Sequence, residues 1–320
     1  MTTRARTVFL GSGSFAIPIV ETLSAAPEVE LVGVVTAPPR RSGRGLEERP
    51  SVVGAWAAER GVPVLTPRRL RDPDALGAVV ALAPALLVLA DYGRIVPADW
   101  LALPPHGALN VHPSLLPRHR GAAPIPAAIL AGDNVTGTTL MRMDDGLDTG
   151  PFLAQRKVAL SGDETASDLE ERLAGIGADL LRESLAGWLD GELPAVPQPD
   201  DGATLTRPLR REDGRLDAAL NATELERQVR AYQPWPGSFL ETAAGGRLTV
   251  WRAQAVPLDP DDAAGTTQPG TLVAVGHGLG LATADGVLEL LDVQRSGGRR
   301  ISSADLLRGR PAWVGEHVLP

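Results

Sequence analysis

Along the first 190 residues, apolar blocks and mixed polar segments take turns. Uninterrupted apolar runs at 7–10, 31–36, 62–65 and 86–90 read as short strands, the last of the kind buried on both faces. The segments between them, 16–26, 51–60 and 73–82, read as helices, with Ser51 placed as an N-cap. Further strands are expected at 108–112, 136–143 and 153–160. A long amphipathic helix should follow at 165–189, opened by the capping-box pair Thr165 and Asp168. Strand alternating with helix at this spacing predicts an α/β domain of Rossmann-like type with a doubly wound parallel sheet.

After residue 190 the pattern changes. Residues 192–208 are Pro-rich and polar and read as a linker. A helix at 221–232, with Leu225 and Val229 on one side, is stopped by Gln233-Pro-Trp-Pro-Gly237. Short β-like runs at 239–242, 247–253, 270–275, 280–283 and 287–293, separated by glycines, then predict a small OB-like β-barrel or sandwich. The expected division is a catalytic domain over 1–191, a linker over 192–208 and a β-rich domain over 209–320.

Composition narrows the class. With 43% hydrophobic and 22% charged residues, the chain reads as an ordinary globular protein. It has no cysteine, which excludes a disulfide framework, a thiolate metal site and a cysteine nucleophile. The first residues lack the long apolar stretch of a secretory signal, and the uncharged run 76–90 is broken by Pro84 and too short to span a bilayer. A cytoplasmic monomer without membrane attachment is expected. The net charge of −8 argues against indiscriminate nucleic-acid binding while leaving room for a local basic face, because arginines cluster at 40–44, 68–71, 118–120 and 207–211.

Two motifs carry chemistry. Gly11-Ser-Gly-Ser-Phe-Ala16 follows a strand and opens a helix, as a dinucleotide fingerprint does, but no acidic residue closes the second strand. A tight turn that packs a helix closely is the simpler reading. The run 108–125, ALNVHPSLLPRHRGAAPI, is more specific. Asn110 and His112 are two residues apart, so on a strand both point to the same face, and Pro113 ends that strand. An amide and an imidazole at a strand's carboxyl end suit chemistry on a carbonyl. If Asp148 from the acidic turn 143–150 joins them, it can orient the imidazole and stabilise its protonated form. No Ser or Cys is paired with His112 in a nucleophile motif, which favours direct attack by a substrate amine. A histidine that is merely satisfied at a strand end gives the same spacing. No metal-ligand spacing is present.

The segment NVHPSLLPRHRGAAPI, with MDDGLDTG downstream, resembles the methionyl-tRNA formyltransferase family. Its Asn-x-His-x-Ser-Leu-Leu-Pro core is shared with other folate-dependent formyltransferases, and residues 210–239 are similar to the start of the family's carboxyl-terminal domain. The resemblance implies that 10-formyltetrahydrofolate donates a formyl group to the methionine of initiator methionyl-tRNA, with Asn110, His112 and Asp148 as the catalytic residues. It implies a folate crevice built from the backbone of Ala90, Asp91, Tyr92 and Gly93, from Ser114, Leu115, Leu116 and Pro117, and from Asp144 and Gly146. It also implies tRNA contacts from Arg40, Arg41, Arg44, Arg207, Arg210 and Arg211, and no metal. An enzyme acting on an amino-sugar nucleotide would share residues 88–150 and need not carry the second domain. Four positions depart from the pattern: Glu47 and Glu48 stand where lysines are usual, Asp91 replaces a small apolar residue, and Gln233 replaces an asparagine.

Overall fold

The structure, a computed structural model, describes residues 4–42, 47–243, 246–256, 268–309 and 311–319. In the first half of the chain the strands are β1 (Ala5–Leu10), β2 (Val29–Val35), β3 (Arg40–Ser42), β4 (Glu47–Arg49), β5 (Val64–Leu65), β6 (Leu86–Leu89), β7 (Ala108–His112), β8 (Arg120–Gly121), β9 (Val135–Arg142), β10 (Phe152–Ala159) and β11 (Leu205–Thr206). The helices are α1 (Ala16–Ala25), α2 (Val52–Glu59), α3 (Pro73–Val80), α4 (Ala98–Leu101), α5 (Pro124–Ala131) and α6 (Ala166–Leu189).

Seven strands form one sheet in the order β10-β9-β7-β6-β1-β2-β5. The five from β5 to β7 are parallel, and the order reverses between β1 and β6, which defines a topological switch point. The parallel sheet expected is present, and at its other edge β9 pairs antiparallel with β7 and β10 antiparallel with β9. Every residue of β6 is buried, as its unbroken apolar run requires. One face packs Val8, Leu10, Val35, Leu87 and Leu89 against Leu70, Val79, Tyr92 and Trp100.

Two expectations for this half change. Residues 37–50 were read as an irregular loop. They include a short hairpin, in which Arg40 pairs with Arg49 and Arg41 with Glu48, and residues 43–46 lie outside the described residues. Residues 192–208 were read as a linker. Val196 bridges Phe152, β11 pairs with β8, and Arg120 N–H donates to Thr204 O, so this segment is stitched onto the first unit by its own backbone. Proline and polar composition marked the lack of regular structure there and said nothing about attachment.

The chain separates into two compact units, one of residues 1–124, 135–159 and 170–207, the other of 125–134, 160–169 and 208–320. The second unit thus borrows two short segments from the first half. Arg230 donates to Glu164 O, and the Arg227 guanidinium crowds Gly132 so closely that any side chain at 132 would meet it.

In the second unit, α7 (Ala222–Ala231) opens with a capping box between Asn221 and Glu224. It is followed by β12 (Ser238–Thr242), β13 (Gly246–Val256), β14 (Leu272–Val275), β15 (Gly278–Ala282), β16 (Val287–Arg295) and β17 (Arg300–Ser302), and by α8 (Ser303–Gly309). The antiparallel order is β12-β13-β16-β15-β14, with β17 beside β16. Residues 316–319 close the gap between the two edge strands. Val318 bridges Thr242 and His317 bridges Thr271, while Leu272 N–H donates to Glu316 O and Leu319 N–H to Glu241 O. Closure removes exposed edges and leaves a barrel-like unit around Leu225, Val229, Leu248, Leu279, Leu288, Leu290 and Trp313. Gln233 donates to Val229 O at 3.0 Å and Trp251 O at 2.6 Å, pinning the turn to β13.

Candidate active site

Asn110 and His112 lie on one face of β7, as their spacing requires. Asp148 reaches them by an unexpected route. Because β9 runs antiparallel to β7, the chain leaves it at the amino end of β7, where Met143 N–H donates to Ala108 O. The turn then doubles back over the same face. Asp144 Oδ1 holds it by accepting from Gly146 N–H at 3.1 Å and from the Thr149 hydroxyl at 2.8 Å. Asp148 itself has a φ of 53°, in the left-handed region that a non-glycine residue enters only under surrounding constraint.

The resulting contacts are close. Asp148 Oδ2 lies 3.4 Å from His112 Nε2 and accepts from Gly121 N–H at 2.8 Å, while Asn110 Nδ2 stands 3.5 Å from Oδ1. The side chains of His112 and Asp148 are 5% and 13% exposed, so water screens the pair little. Burial pushes Asp148 upward, but the His112 ring, the Gly121 N–H and the nearby Arg120 charge together hold it below the ordinary carboxylate value. It is therefore ionised at neutral pH. Gly121 has a φ of 104°, and a side chain there would strike Thr206 O, so glycine is needed to bring that N–H to Asp148.

Gln198 and Arg120 support the turn. The Gln198 amide donates to Asp148 O at 2.8 Å and Gly150 O at 2.7 Å, and its oxygen accepts from Arg120 at 2.8 and 3.1 Å. Gln198 escaped the sequence reading because it sits in the segment taken for a linker.

The remaining expected residues fall into groups. Ala90 is buried and Gly93 exposed, and Tyr92 turns its ring into the core, so a ligand along 90–93 would meet backbone. Leu116 and Pro117 are joined by a cis peptide bond. Leu116 N–H donates to Thr139 Oγ1, Gln155 donates to Leu116 O, and Leu115 lies against Gly137. Ser114 is fully buried, with its hydroxyl occupied on both sides by His112 Nδ1 and Arg118 O, so it offers a ligand no free hydroxyl.

Asp91 explains the Gly11–Ala16 turn. Its backbone carbonyl accepts from Ser12 and Gly13 N–H, and its carboxylate fills the space a side chain at 13 would take. The residue as a whole is exposed, yet its carboxyl is crowded against that turn. Crowding first, and then the charge of Glu170, push it up to about 6. A pyrophosphate entering here would meet this pair of acids in place of open N–H groups.

Arg40, Arg207, Arg210 and Arg211 are exposed. The side chain of Arg41 and the whole of Arg44 lie outside the described residues. Among the described residues no cluster of three or more acidic or histidine side chains could hold a metal, and no helix is long and apolar enough to cross a membrane.

Fold and geometry together define a class: a Rossmann-like domain that brings an amide, an imidazole and a carboxylate together, joined in sequence to a small β-barrel. Profiles of the formyl transferase family and of its C-terminal domain match residues 5–185 and 208–311. A Myxococcus xanthus protein named methionyl-tRNA formyltransferase is 46% identical over 309 residues, covering 96% of this chain and 95% of that protein. One of the same name from Halorhodospira halophila is 45% identical over 315 residues, covering 98% and 99%. Among solved structures, an N-formyltransferase from Helicobacter canadensis in complex with folinic acid and dTDP-3-aminofucose superposes with a TM-score of 0.65 at 15% identity, over 90% of this chain and 99% of that one. HypX from Aquifex aeolicus in complex with tetrahydrofolic acid gives 0.60 at 17% identity, over 95% of this chain and 47% of that one. At such identities the structural likeness establishes fold alone. The chain belongs to the formyl transferase family.

Proposed function

We propose that this chain transfers the formyl group of 10-formyltetrahydrofolate to the α-amino group of methionine esterified to initiator tRNA. The observation that carries this reading is likeness to methionyl-tRNA formyltransferases over both domains at once, with identity of 46% across 96% of the chain. An enzyme needing only the first domain would not require the matched second one.

The chemistry follows from the site. The substrate amine attacks the formyl carbon, a carbon–nitrogen bond forms, and the carbonyl oxygen gains negative charge. Asn110 has one amide N–H turned toward Asp148 at 3.5 Å, which leaves the other to donate to that oxygen. Removing an oxyanion donor of this kind costs about 3–4 kcal/mol of transition-state stabilisation. His112 takes the proton that the amine sheds and returns it to the nitrogen of the departing tetrahydrofolate as the old carbon–nitrogen bond breaks. Asp148 stabilises the imidazolium between those two events. The pterin would lie along the backbone of 90–93, beside 115–117 and the Asp144–Gly146 turn. Arg40, Arg207, Arg210 and Arg211 are the described candidates for tRNA phosphates.

The test is to incubate the protein with 10-formyltetrahydrofolate and methionyl-tRNA and follow N-formylmethionine ester by mass. Stoichiometric release of tetrahydrofolate with formylated ester supports the reading. Release of formate with unmodified methionyl-tRNA would instead make the protein a hydrolase.

A further inference from the structure

The order of the first sheet reverses between β1 and β6. The crevice outside the carboxyl ends of those two strands is where a doubly wound fold holds an anionic ligand, with phosphate set at the start of the helix that follows β1. In this chain the crevice is acidic. Asp91, two residues beyond β6, accepts through its backbone carbonyl from Ser12 N–H at 3.0 Å and Gly13 N–H at 3.4 Å, so two amides of the turn are already engaged. Its carboxylate lies over Gly13, close enough that a β-carbon there would strike Oδ2. The Ser14 hydroxyl, just before α1, donates to Glu170 of α6. A serine has one proton to give, so that hydroxyl has none left for a phosphate.

We infer that Asp91, backed by Glu170, determines acceptor choice by closing this crevice to phosphate. The inference rests on the formyl-transfer reading for its purpose, and it adds how one class of acceptor is refused. Leu89 of β6 pairs with Asn110 of β7. Asp91 lies two residues past the first and His112 two past the second. The crevice therefore opens one strand spacing, about 4.8 Å, from the strand end that carries His112. An amino-sugar nucleotide or another small phosphorylated amine is short. With its amine at His112, its phosphate has to sit along this same edge of the sheet, and the crevice is the place the topology provides. Methionine esterified to RNA sets an apolar side chain and an uncharged ribose beside its amine. Its phosphates run off into a polymer that arginines elsewhere can hold.

Charge is the means of refusal. Crowding and Glu170 push the Asp91 carboxyl up to about 6, so at neutral pH it is still mostly ionised. A phosphate at the turn would meet like charge from Asp91 and from Glu170 behind it. The backbone keeps the acid in place. Asp91 has a φ of 46°, a left-handed conformation that Asp and Asn tolerate better than other side chains. Asp91→Asn therefore removes the charge while keeping that backbone.

The test compares the wild-type protein with Asp91→Asn and with the double variant Asp91→Asn, Glu170→Gln. Isothermal titration with pyrophosphate, in the absence of either substrate, reads the crevice directly. The double variant should bind pyrophosphate about 10- to 100-fold more tightly than wild type, with Asp91→Asn between them. Offered an amino-sugar nucleotide and methionyl-tRNA together, the double variant should show a similar rise in kcat/KM for the sugar nucleotide. Both acceptors draw on the same formyl donor, so any effect on folate cancels from their ratio. Unchanged pyrophosphate affinity in the double variant would overturn the inference. So would a ratio that shifts only because methionyl-tRNA turnover is lost, which would make Asp91 a contact for that acceptor. A protein that gains pyrophosphate affinity as expected but formylates no acceptor in any form would refute the proposed function and leave the assignment of the crevice intact.

Discussion

Gly121 N–H and His112 Nε2 converge on the same oxygen of Asp148, at 2.8 and 3.4 Å. Both contacts favour the charged form of Asp148, which faces the imidazole as a carboxylate. Asp148→Asn keeps the shape and removes the charge. Turnover should fall by about two to four orders of magnitude, the usual span for disabling acid–base catalysis, with a far smaller change in the KM for the formyl donor. Steady-state kinetics with both substrates would check it.

Asp148 also has a consequence for stability. Its pKa is lowered on folding, so the contribution it makes is present above the ordinary aspartate value and is lost as the pH falls through the depressed one. Asp91 behaves in the opposite sense. Its pKa is raised to about 6, so the folded state is favoured where Asp91 is protonated and loses that advantage as the pH climbs through 6. Asp91→Asn should therefore raise the melting temperature at pH 8 and make no difference near pH 4. Because the residue is largely exposed, the gain should be on the order of 1 kcal/mol or less. Thermal unfolding at the two pH values checks it, and a stabilisation equal at both would rule out the charge as its cause.

Gln198 ties the turn bearing Asp148 to the segment after α6. Gln198→Ala strips partners from two carbonyls and from the Arg120 guanidinium. Denaturant unfolding should show a loss of about 1–3 kcal/mol. Turnover should fall as well, while Glu192→Ala in the same segment, exposed and not bonded to the turn, should leave it unchanged.

The contrast between Gln198 and the trio shows where local pattern stops being informative. Asn110 and His112 were visible because a two-residue spacing on a strand forces a shared face, whatever the strand's neighbours. The buried runs of β1 and β6 were visible for the same reason, since a strand covered on both sides must be apolar throughout. Direction of pairing is different: nothing in 135–142 distinguishes an antiparallel strand from a parallel one, so the route of Asp148 back across β7 was hidden. Gln198, the Arg40–Arg49 hairpin and the closing segment 316–319 all depend on partners elsewhere in the chain. Asp91 stood out as an unusual acid, but only its place against Gly13 and beside Glu170 explains what it does.

The exposed arginines make a separate expectation. If Arg210 and Arg211 meet tRNA phosphates, Arg210→Glu with Arg211→Glu should raise the KM for methionyl-tRNA and leave that for the formyl donor unchanged. Each lost phosphate contact should flatten the salt dependence by ~0.7–0.9 log units per log unit of salt. Equal salt slopes for wild type and variant would remove both residues from the interface.

The central claim concerns the acceptor, and a competition measures it most directly. Methionyl-tRNA and an amino-sugar nucleotide would be offered together to the enzyme and 10-formyltetrahydrofolate, with the ratio of formylated products giving the ratio of kcat/KM. The account requires methionyl-tRNA to be formylated in large excess, and His112→Ala to abolish that product while remaining folded by circular dichroism. Preferential formylation of the sugar nucleotide, or a folded His112→Ala protein that keeps more than half of the wild-type rate, would contradict it.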